Sequence, residues 1–390
     1  MRGEVTLMLT KHRETEQMRR SNFTIFSSLN DVEDLRVLAQ KEIAETFSGN
    51  ERVISVDQLS CEEIVRKLNE LGLAEQIGSI LTTTEEFVLI AAQVREGLGI
   101  PGQSWESAVA YRNKFNMKKL LRLSTTFKVP KFWHPSMEKS LQDVFSIEEK
   151  IVKKPIDGAG GVGITIYDSF EKIDGVEESE LVEQWIDLPV LHVDGLIHDG
   201  QIVFSAVSKY LNSCLSFKEK QYVGSQFSED SELNLRATKA LQEVIQLLPS
   251  PMNFAFHLEL FYSDTELFFC EIACRQGGGW IPKMIEKKFG VNLAKENLRV
   301  QAGLPHGGLC LDVKNNYSFI IVPYGTELSL SEEKLRSQQG LIDFRINQDK
   351  EESATCVEGQ FFALLKGKCS RELNKHIDSL LESVEYQKDH

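Results

Sequence analysis

The stretch from Phe254 to Gly279 restricts the fold more tightly than any other part of the chain. It reads Phe-Ala-Phe-His257-Leu-Glu259-Leu-Phe-Tyr262, a short polar turn, Leu267-Phe-Phe-Cys-Glu271-Ile-Ala-Cys-Arg275-Gln, and then Gly277, Gly278 and Gly279. Successive strand residues point to opposite faces, so His257 and Glu259 share one face while Phe256, Leu258 and Leu260 take the other. A three-residue loop at Asp264–Glu266 sets Glu259 directly opposite Glu271; a two-residue loop sends them to opposite faces. The Phe-rich flanks imply burial, and two opposed carboxylates on buried strands repel unless a divalent cation lies between them. Oxygen-only ligands suit Mg2+, which keeps waters and shares substrate phosphates. A solvated sheet face is the competing reading. Arg275 is placed to stabilise charge on a transferring phosphoryl group or a tetrahedral oxyanion, or to pair structurally with one of the glutamates. The three glycines let a substrate approach the backbone closely.

A second constraint lies upstream. Gly158-Ala-Gly160-Gly161-Val-Gly163 satisfies the G-x-G-x-x-G pattern, but a dinucleotide fingerprint opens a helix, and here the β-branched Ile164–Tyr167 follows. There is no G-K-[ST], so this is not a P-loop. The arrangement is strand, glycine loop, strand: either a hairpin whose free N–H groups fold over phosphates or an ordinary glycine-rich turn. Lys153 and Lys154 precede it on a strand and face opposite sides, so one can face a cleft while the other is solvated. An ammonium beside such a loop supplies the point charge that phosphoryl transfer requires.

Over the first hundred residues, Val5–Leu9, Arg52–Val56 and the apolar run Gln76–Leu81 alternate with helical spacing at Val32–Phe47, Cys61–Leu71 and Glu85–Gly97. This βαβαβα order predicts an open, mostly parallel, Rossmann-like sheet, with a boundary at Gly99–Gly102. Ser107–Leu123 reads as one helix, and Val129–Pro130 begins an extended piece ending near Trp133. Strands follow at Ile151–Lys154, Gly163–Tyr167, Leu181–Gln184, Leu191–His198 and Gln201–Ser208, with Asp199–Gly200 a hairpin signal. Ser231–Leu248 is a long helix, Phe254–Phe261 and Leu267–Ala273 a strand pair, and Trp280–Phe289 and Leu293–Ala302 helices. The tail reads as strands Leu309–Val313, Tyr317–Pro323, Ile342–Asn347 and Phe361–Gly367, closed by a helix at Glu372–Tyr386 with Ser370 as its cap. The class is α+β.

Composition bounds the rest. With 390 residues, 42% apolar and 26% charged, the chain is an ordinary globular protein of about two to three domains. Its longest apolar stretch, Phe87–Ala92, is far short of the ~20 residues that span a bilayer, and Met1–Arg20 lacks a secretory pattern. Seven cysteines without a CxxC pair read as reduced cytoplasmic thiols. A net charge of −14 argues against nucleic-acid binding as the main activity, while leaving room for a local basic pocket.

Taken together, Arg112-Asn-Lys114-Phe-Asn-Met117-Lys118, Val152–Gly163, Glu183-Gln-Trp-Ile186 and Glu259…Glu271…Arg275 resemble the ATP-grasp superfamily in order and spacing over about Val5 to Leu304. Glu183–Gly195 and Glu271–Gly279 look most like the carboxylate–amine (amino-acid or peptide) ligases. The resemblance implies an N-terminal Rossmann-like (pre-ATP-grasp) α/β domain over 1–102 and an ATP-grasp domain over 103–304, with its glycine-loop subdomain at 129–210. It also implies a biotin-carboxylase-like C-terminal lobe over 305–390. ATP and Mg2+ (or Mn2+) are the implied cofactors. Lys114 and Lys154 would hold the phosphates, Gly158, Gly160, Gly161 and Gly163 would cover them, and Lys209 would add a further phosphate contact. Glu183 and the backbone near Ile186 would read adenine, Glu259 and Glu271 would bind the metal, and Arg275 would sit beside the reacting carboxylate.

Two departures stand out. Val190 occupies the place where many members carry a ribose-binding acid, for which Asp187 and Asp194 are candidate substitutes. Ala273 stands where many carry a metal-binding Asn, with water or His257 to compensate. Cys270 and Cys274 read as packing residues. The implied activity is ATP-dependent activation of a carboxylate, an amino acid's, as an acyl phosphate, followed by transfer to an amine with release of ADP and phosphate. Alternatives are aminoacyl transfer to a carrier-protein thiol and a non-catalytic nucleotide-binding scaffold. Small-molecule carboxylate and amine substrates and a homodimer are expected, with no nucleic-acid or membrane partner. Specificity is expected near Gly277–Trp280 and in Leu211–Gly224.

Overall fold

Val5-Thr-Leu-Met-Leu9 is buried at every position, as expected of a strand covered on both faces. It forms β1 of a parallel four-stranded sheet with β2 (Asp34–Gln40), β3 (Val53–Val56) and β4 (Ile77–Thr82), in the order β3-β2-β1-β4. The structure is a computed structural model and describes residues 4–12, 25–47, 49–308, 311–312, 314–329, 331–347 and 352–386. Helices Cys61–Glu70 and Phe87–Leu98 cover this sheet, Ile64, Leu68, Ala91 and Val94 packing against Leu7, Leu9 and Ile54. The helix expected over Val32–Phe47 is instead β2, followed by short turns at Lys41–Ala44 and Glu45–Phe47. Strand pairing to β1 and β3 overrides the helical spacing, because Leu35, Val37, Leu38 and Ala39 are all buried in the sheet.

The helix expected over Ser107–Leu123 divides into Trp105–Arg112 and Lys114–Leu121. Asn113 leaves the helical conformation, and its Oδ1 accepts the Asn116 N–H at 3.0 Å, capping the second helix. A small antiparallel sheet follows: β5 (Phe132–Trp133), β6 (Ile151–Pro155), β7 (Thr165–Tyr167) and β8 (Glu180–Gln184), in the order β5-β8-β6-β7.

The central sheet is antiparallel. Its strands are β9 (Val190–His198), β10 (Gln201–Tyr210), β11 (Val223–Phe227), β12 (Phe254–Tyr262), β13 (Leu267–Ala273), β14 (Asn316–Val322), β15 (Leu341–Ile346) and β16 (Phe361–Gly367). They lie in the order β13-β12-β9-β10-β11-β14-β16-β15. Asp199–Gly200 joins β9 to β10 as expected, with His198 paired to Gln201. On one face, Leu191, Val193, Phe256 and Leu258 pack under helix Ser231–Leu247. On the other, Leu196 and Ala255 meet helices Ile281–Phe289 and Leu293–Gln301.

Strand β11 was not among the expected strands, and only its first two residues fall within Leu211–Gly224. Val223-Gly-Ser-Gln-Phe is too small and polar to announce a strand, and it is held by pairing to β10 and β14. Through it the tail strands extend the central sheet, and helix Ser370–Ser383 packs Leu373, Ile377 and Leu380 against Ile320, Val322 and Ala363. Ser370 is the first residue of that helix and Cys369 holds the cap position. The strand expected at Leu309–Val313 falls on 309, 310 and 313, which lie outside the described residues. Among the described residues no helix is long and apolar enough to cross a membrane, and all six described cysteines are free.

The β12–β13 register corrects one expectation. Tyr262 pairs with Leu267, so residues 263–266 form the turn instead of Asp264–Glu266. Continued evenly, that register would place Cys270 opposite Glu259 and turn Glu271 to the other face. A β-bulge between Glu259 and Leu260 inserts one residue, and Glu259 does stand opposite Glu271.

Candidate active site

Strand parity builds the cleft. Glu259 on β12 and Glu271 on β13 are paired, and His257 of β12 lies opposite Asp194 of β9. Glu259 Oε1 accepts the Tyr210 hydroxyl at 2.7 Å and faces His257 Nε2 at 3.2 Å. Glu271 pairs with Lys114, 3.1 Å away. Burial opposes ionisation of Glu271, but the Lys114 and Lys154 ammoniums outweigh it and hold its pKa down at about 2. Its charge is therefore permanent at neutral pH.

Lys154 on β6 and Glu183 on β8 are diagonal neighbours on one face of the small sheet, 2.8 Å apart. Helix Lys114–Leu121 adds Lys118, one turn beyond Lys114, at 3.0 Å from the same carboxylate. Lys118 is fully buried and Glu183 nearly so. Burial works against each charge: it leaves Lys118 lowered, whereas the Glu183 carboxylate raises Lys154 and the two lysines lower Glu183. The role expected for Glu183, accepting from adenine, is not what its oxygens do here, since both face ammoniums. Lys118 lay within a recognised motif without an assigned role. Its i, i+4 spacing from Lys114 was the signal, because residues so spaced share a helix face.

Arg275 is bound by a residue that the sequence did not single out. Its Nε donates to Glu85 at 2.6 Å, and Nη2 also pairs with that carboxylate. Arg112 grips the other oxygen of Glu85 and donates to the Asp157 carbonyl at the foot of the glycine loop. Glu85 stands just ahead of helix Phe87–Leu98 of the first sheet, with no pattern around it that marks a site. Arg275 Nη1 donates to the Gln276 carbonyl at 2.8 Å, and the Glu85 charge outweighs burial to raise its pKa.

The glycine loop joins β6 to β7. Gly160, Gly161 and Gly163 have φ of 64°, 78° and 71°, a conformation that side chains other than glycine rarely adopt. Lys114 donates to the Gly158 carbonyl at 2.5 Å, and the Cys356 N–H to that of Gly160 at 3.3 Å, so the loop touches both sides of the cleft. Gly277–Gly279 differ from the expected substrate platform. Cβ atoms there would fall 2.6 Å from Asp194 Oδ1 at Gly277, 2.8 Å from Val357 at Gly278 and 3.0 Å from Ile321 at Gly279. Their missing side chains make room for protein.

Lys209 does not join the cluster. It alternates with Tyr210 on β10 and lies 4.0 Å from Asp230, over the Tyr262 ring, on the face away from Glu259. Ile186 is buried just beyond β8. Of the candidate ribose acids, Asp187 is exposed, and Asp194 is fully buried with both oxygens held by histidines. Burial pushes the Cys270 and Cys274 thiols well up, which suits packing residues.

The donor set fits a hard dication and a polyphosphate. Two carboxylates share a face on paired strands, and Lys114, Lys118, Lys154 and Arg275 place positive charge around them. Residues 111–279 match the ATP-grasp domain family, whose enzymes use ATP and a divalent metal. Over 294 residues, 70% of this chain and 69% of the relative, it is 27% identical to an L-arginine-specific L-amino acid ligase of Bacillus subtilis. An L-amino acid ligase from Bacillus licheniformis shares the fold with a TM-score of 0.74, at 17% identity over 99% of this chain and 100% of that one. A carboxyaminoimidazole ribonucleotide synthase from Aspergillus clavatus, complexed with ATP, follows with a TM-score of 0.71 at 14% identity over 98% of each chain.

Proposed function

We propose that this chain is an ATP-dependent ligase that activates a carboxylate, an amino acid's, as an acyl phosphate and joins it to an amine through an amide bond, releasing ADP and phosphate. The observation that carries the reading is the convergence of Lys114, Lys154 and Arg275 on the opposed Glu259 and Glu271. The L-amino acid ligases of Bacillus subtilis and Bacillus licheniformis support an amino-acid substrate.

A carboxylate is a poor electrophile, and direct amide formation in water is uphill. Phosphorylation of its oxygen gives a leaving group that an amine displaces through a tetrahedral intermediate. In this reading Glu259 and Glu271 hold Mg2+, which would neutralise charge on the phosphates. Lys114 and Lys154 supply further positive charge to the triphosphate, with Lys118 and Glu183 keeping Lys154 in place. Gly158, Gly160, Gly161 and Gly163 cover the phosphates and exclude the water that would hydrolyse an acyl phosphate. Arg275 faces the reacting carboxylate and the oxyanion formed from it. The backbone near Ile186 meets the adenine. Glu183 acts on Lys154, not on the base. We also expect a homodimer, which light scattering reads directly.

The test is ADP and phosphate release from ATP and Mg2+ with a panel of L-amino acids, arginine included, offered singly and in pairs, with the product identified by mass. An amide should form, and Glu271→Gln or Arg275→Ala should lower turnover by about 100-fold or more. Release of AMP and pyrophosphate, or no nucleotide turnover with any pair, would overturn the reading. Turnover only with a carrier-protein thiol would redirect it to thioester formation.

A further inference from the structure

The cleft face of the central sheet contains a buried polar chain that the reaction does not consume. Asp194, fully buried, faces two imidazoles: His192 Nδ1 at 2.5 Å and His257 Nδ1 at 2.8 Å. His192 Nε2 lies 2.7 Å from Ser225 Oγ, and His257 Nε2 lies 3.2 Å from Glu259 Oε1. Tyr210 donates to that same oxygen at 2.7 Å. His257 thus faces a carboxylate at each ring nitrogen. The His192–Asp194–His257 trio is a hydrogen-bonded relay and not a metal centre. Nitrogen ligands about 2.0–2.1 Å from a tetrahedral ion stand about 3.3 Å apart, wider than either contact to Asp194, and each ring nitrogen already has a partner.

The consequence falls on Glu259. The Tyr210 hydroxyl and the His257 ring both contact Oε1, while Oε2 has the Cys270 thiol, 3.9 Å away, as its hydrogen-bonding contact among the described residues. The carboxylate is thus held through Oε1, with its second oxygen turned toward Cys270, the residue before Glu271. Gly277 belongs to the same device, since a Cβ there would fall 2.6 Å from Asp194 Oδ1 and 2.9 Å from His257 Nδ1. Ala273 lies opposite His257 and offers no ligand atom, so the aim of the two glutamates carries more of the metal affinity.

We propose that Tyr210 and His257, the latter held by Asp194 and His192, are positioning residues that aim Glu259 Oε2 at the divalent cation; this rests on reading Glu259 and Glu271 as the ligands. The experiment measures Mn2+ binding to the full-length protein with ADP present, through the paramagnetic resonance of free Mn2+. Metal-free ADP binding is measured in parallel by calorimetry. Wild type should bind Mn2+, and Glu271→Gln should lose much of that affinity. Tyr210→Phe and His257→Gln should each weaken Mn2+ binding by about tenfold or more, the usual effect of removing an outer-shell partner, with metal-free ADP affinity within twofold of wild type. If His257→Gln does not fold, Tyr210→Phe decides, because it removes a single hydroxyl. Mn2+ affinity within twofold of wild type in the folded variants overturns the positioning role alone. A parallel loss of metal-free ADP affinity also overturns it, as a general disturbance of the cleft. No Mn2+ binding by wild type, or none lost in Glu271→Gln, overturns the metal reading as well.

Discussion

Glu183 carries one negative charge into a place water does not reach and shares it between Lys118 and Lys154. Removing that carboxylate strands two ammoniums, whereas removing one ammonium leaves an intact pair. Glu183→Gln should therefore destabilise the protein by about 3–5 kcal/mol, the usual penalty for breaking a buried pair from one side, and Lys118→Met by less. Urea denaturation of the two variants checks the order; equal losses would contradict it. The surplus positive charge at Lys118 and Lys154 also explains why this corner of the cleft suits an anion.

Two elements test how local geometry serves the site. Glu243, on helix Ser231–Leu247, accepts from Ser124 Oγ at 2.6 Å and from the Thr125 and Thr126 N–H groups at 2.8 and 2.9 Å. Burial is the largest single influence and raises its pKa, but the donors together outweigh it and hold it at about 2, below the ordinary 4.5. A depressed carboxylate contributes stability that is fully present above its unfolded pKa and is lost as pH falls through its folded one. The gap in melting temperature between wild type and Glu243→Ala should be widest at pH 6–7 and narrow steadily from about pH 4.5 toward 2; a gap independent of pH would refute the ionised cap. The strand-to-helix turn after β13 tests close approach. Gly277→Ala must displace Asp194 or His257 and should reduce ligase turnover by at least about tenfold, while Gly308→Ala, with nothing within 4 Å of its Cβ position, should leave turnover unchanged. Comparable rates in the two variants would show that the space at Gly277 is not needed.

At the scale of the whole molecule, Glu85 ties the parallel first sheet to the ligase cleft through Arg275 and Arg112. Arg275 otherwise projects from the end of β13 with only the Gln276 carbonyl to orient it among the described residues. Glu85→Ala should raise the KM for the carboxylate substrate by about tenfold and lower kcat, with the KM for ATP little changed, because a displaced guanidinium harms the reacting centre most. Steady-state kinetics with each substrate varied in turn reads this split, and equal effects on both KM values would argue for a general loss of domain packing.

Much of this was legible along the chain. Strand alternation put His257 and Glu259 on one face, and the β-branched residues after Gly163 identified a strand–loop–strand. The β2 segment misled because its apolar spacing suits either period, and only pairing between β1 and β3 settles it. Glu85 and Tyr210 carried no local signal, since their partners lie 190 and 49 residues away.

Sequence alone determined which residue types are present and which side of each strand they take, because alternation is a local property of the backbone. Which carboxylate meets which cation was decided by the tertiary structure: a bulge of one residue, a break at Asn113 and a glutamate delivered from another sheet bring together charges that Coulomb attraction can join only at contact distance.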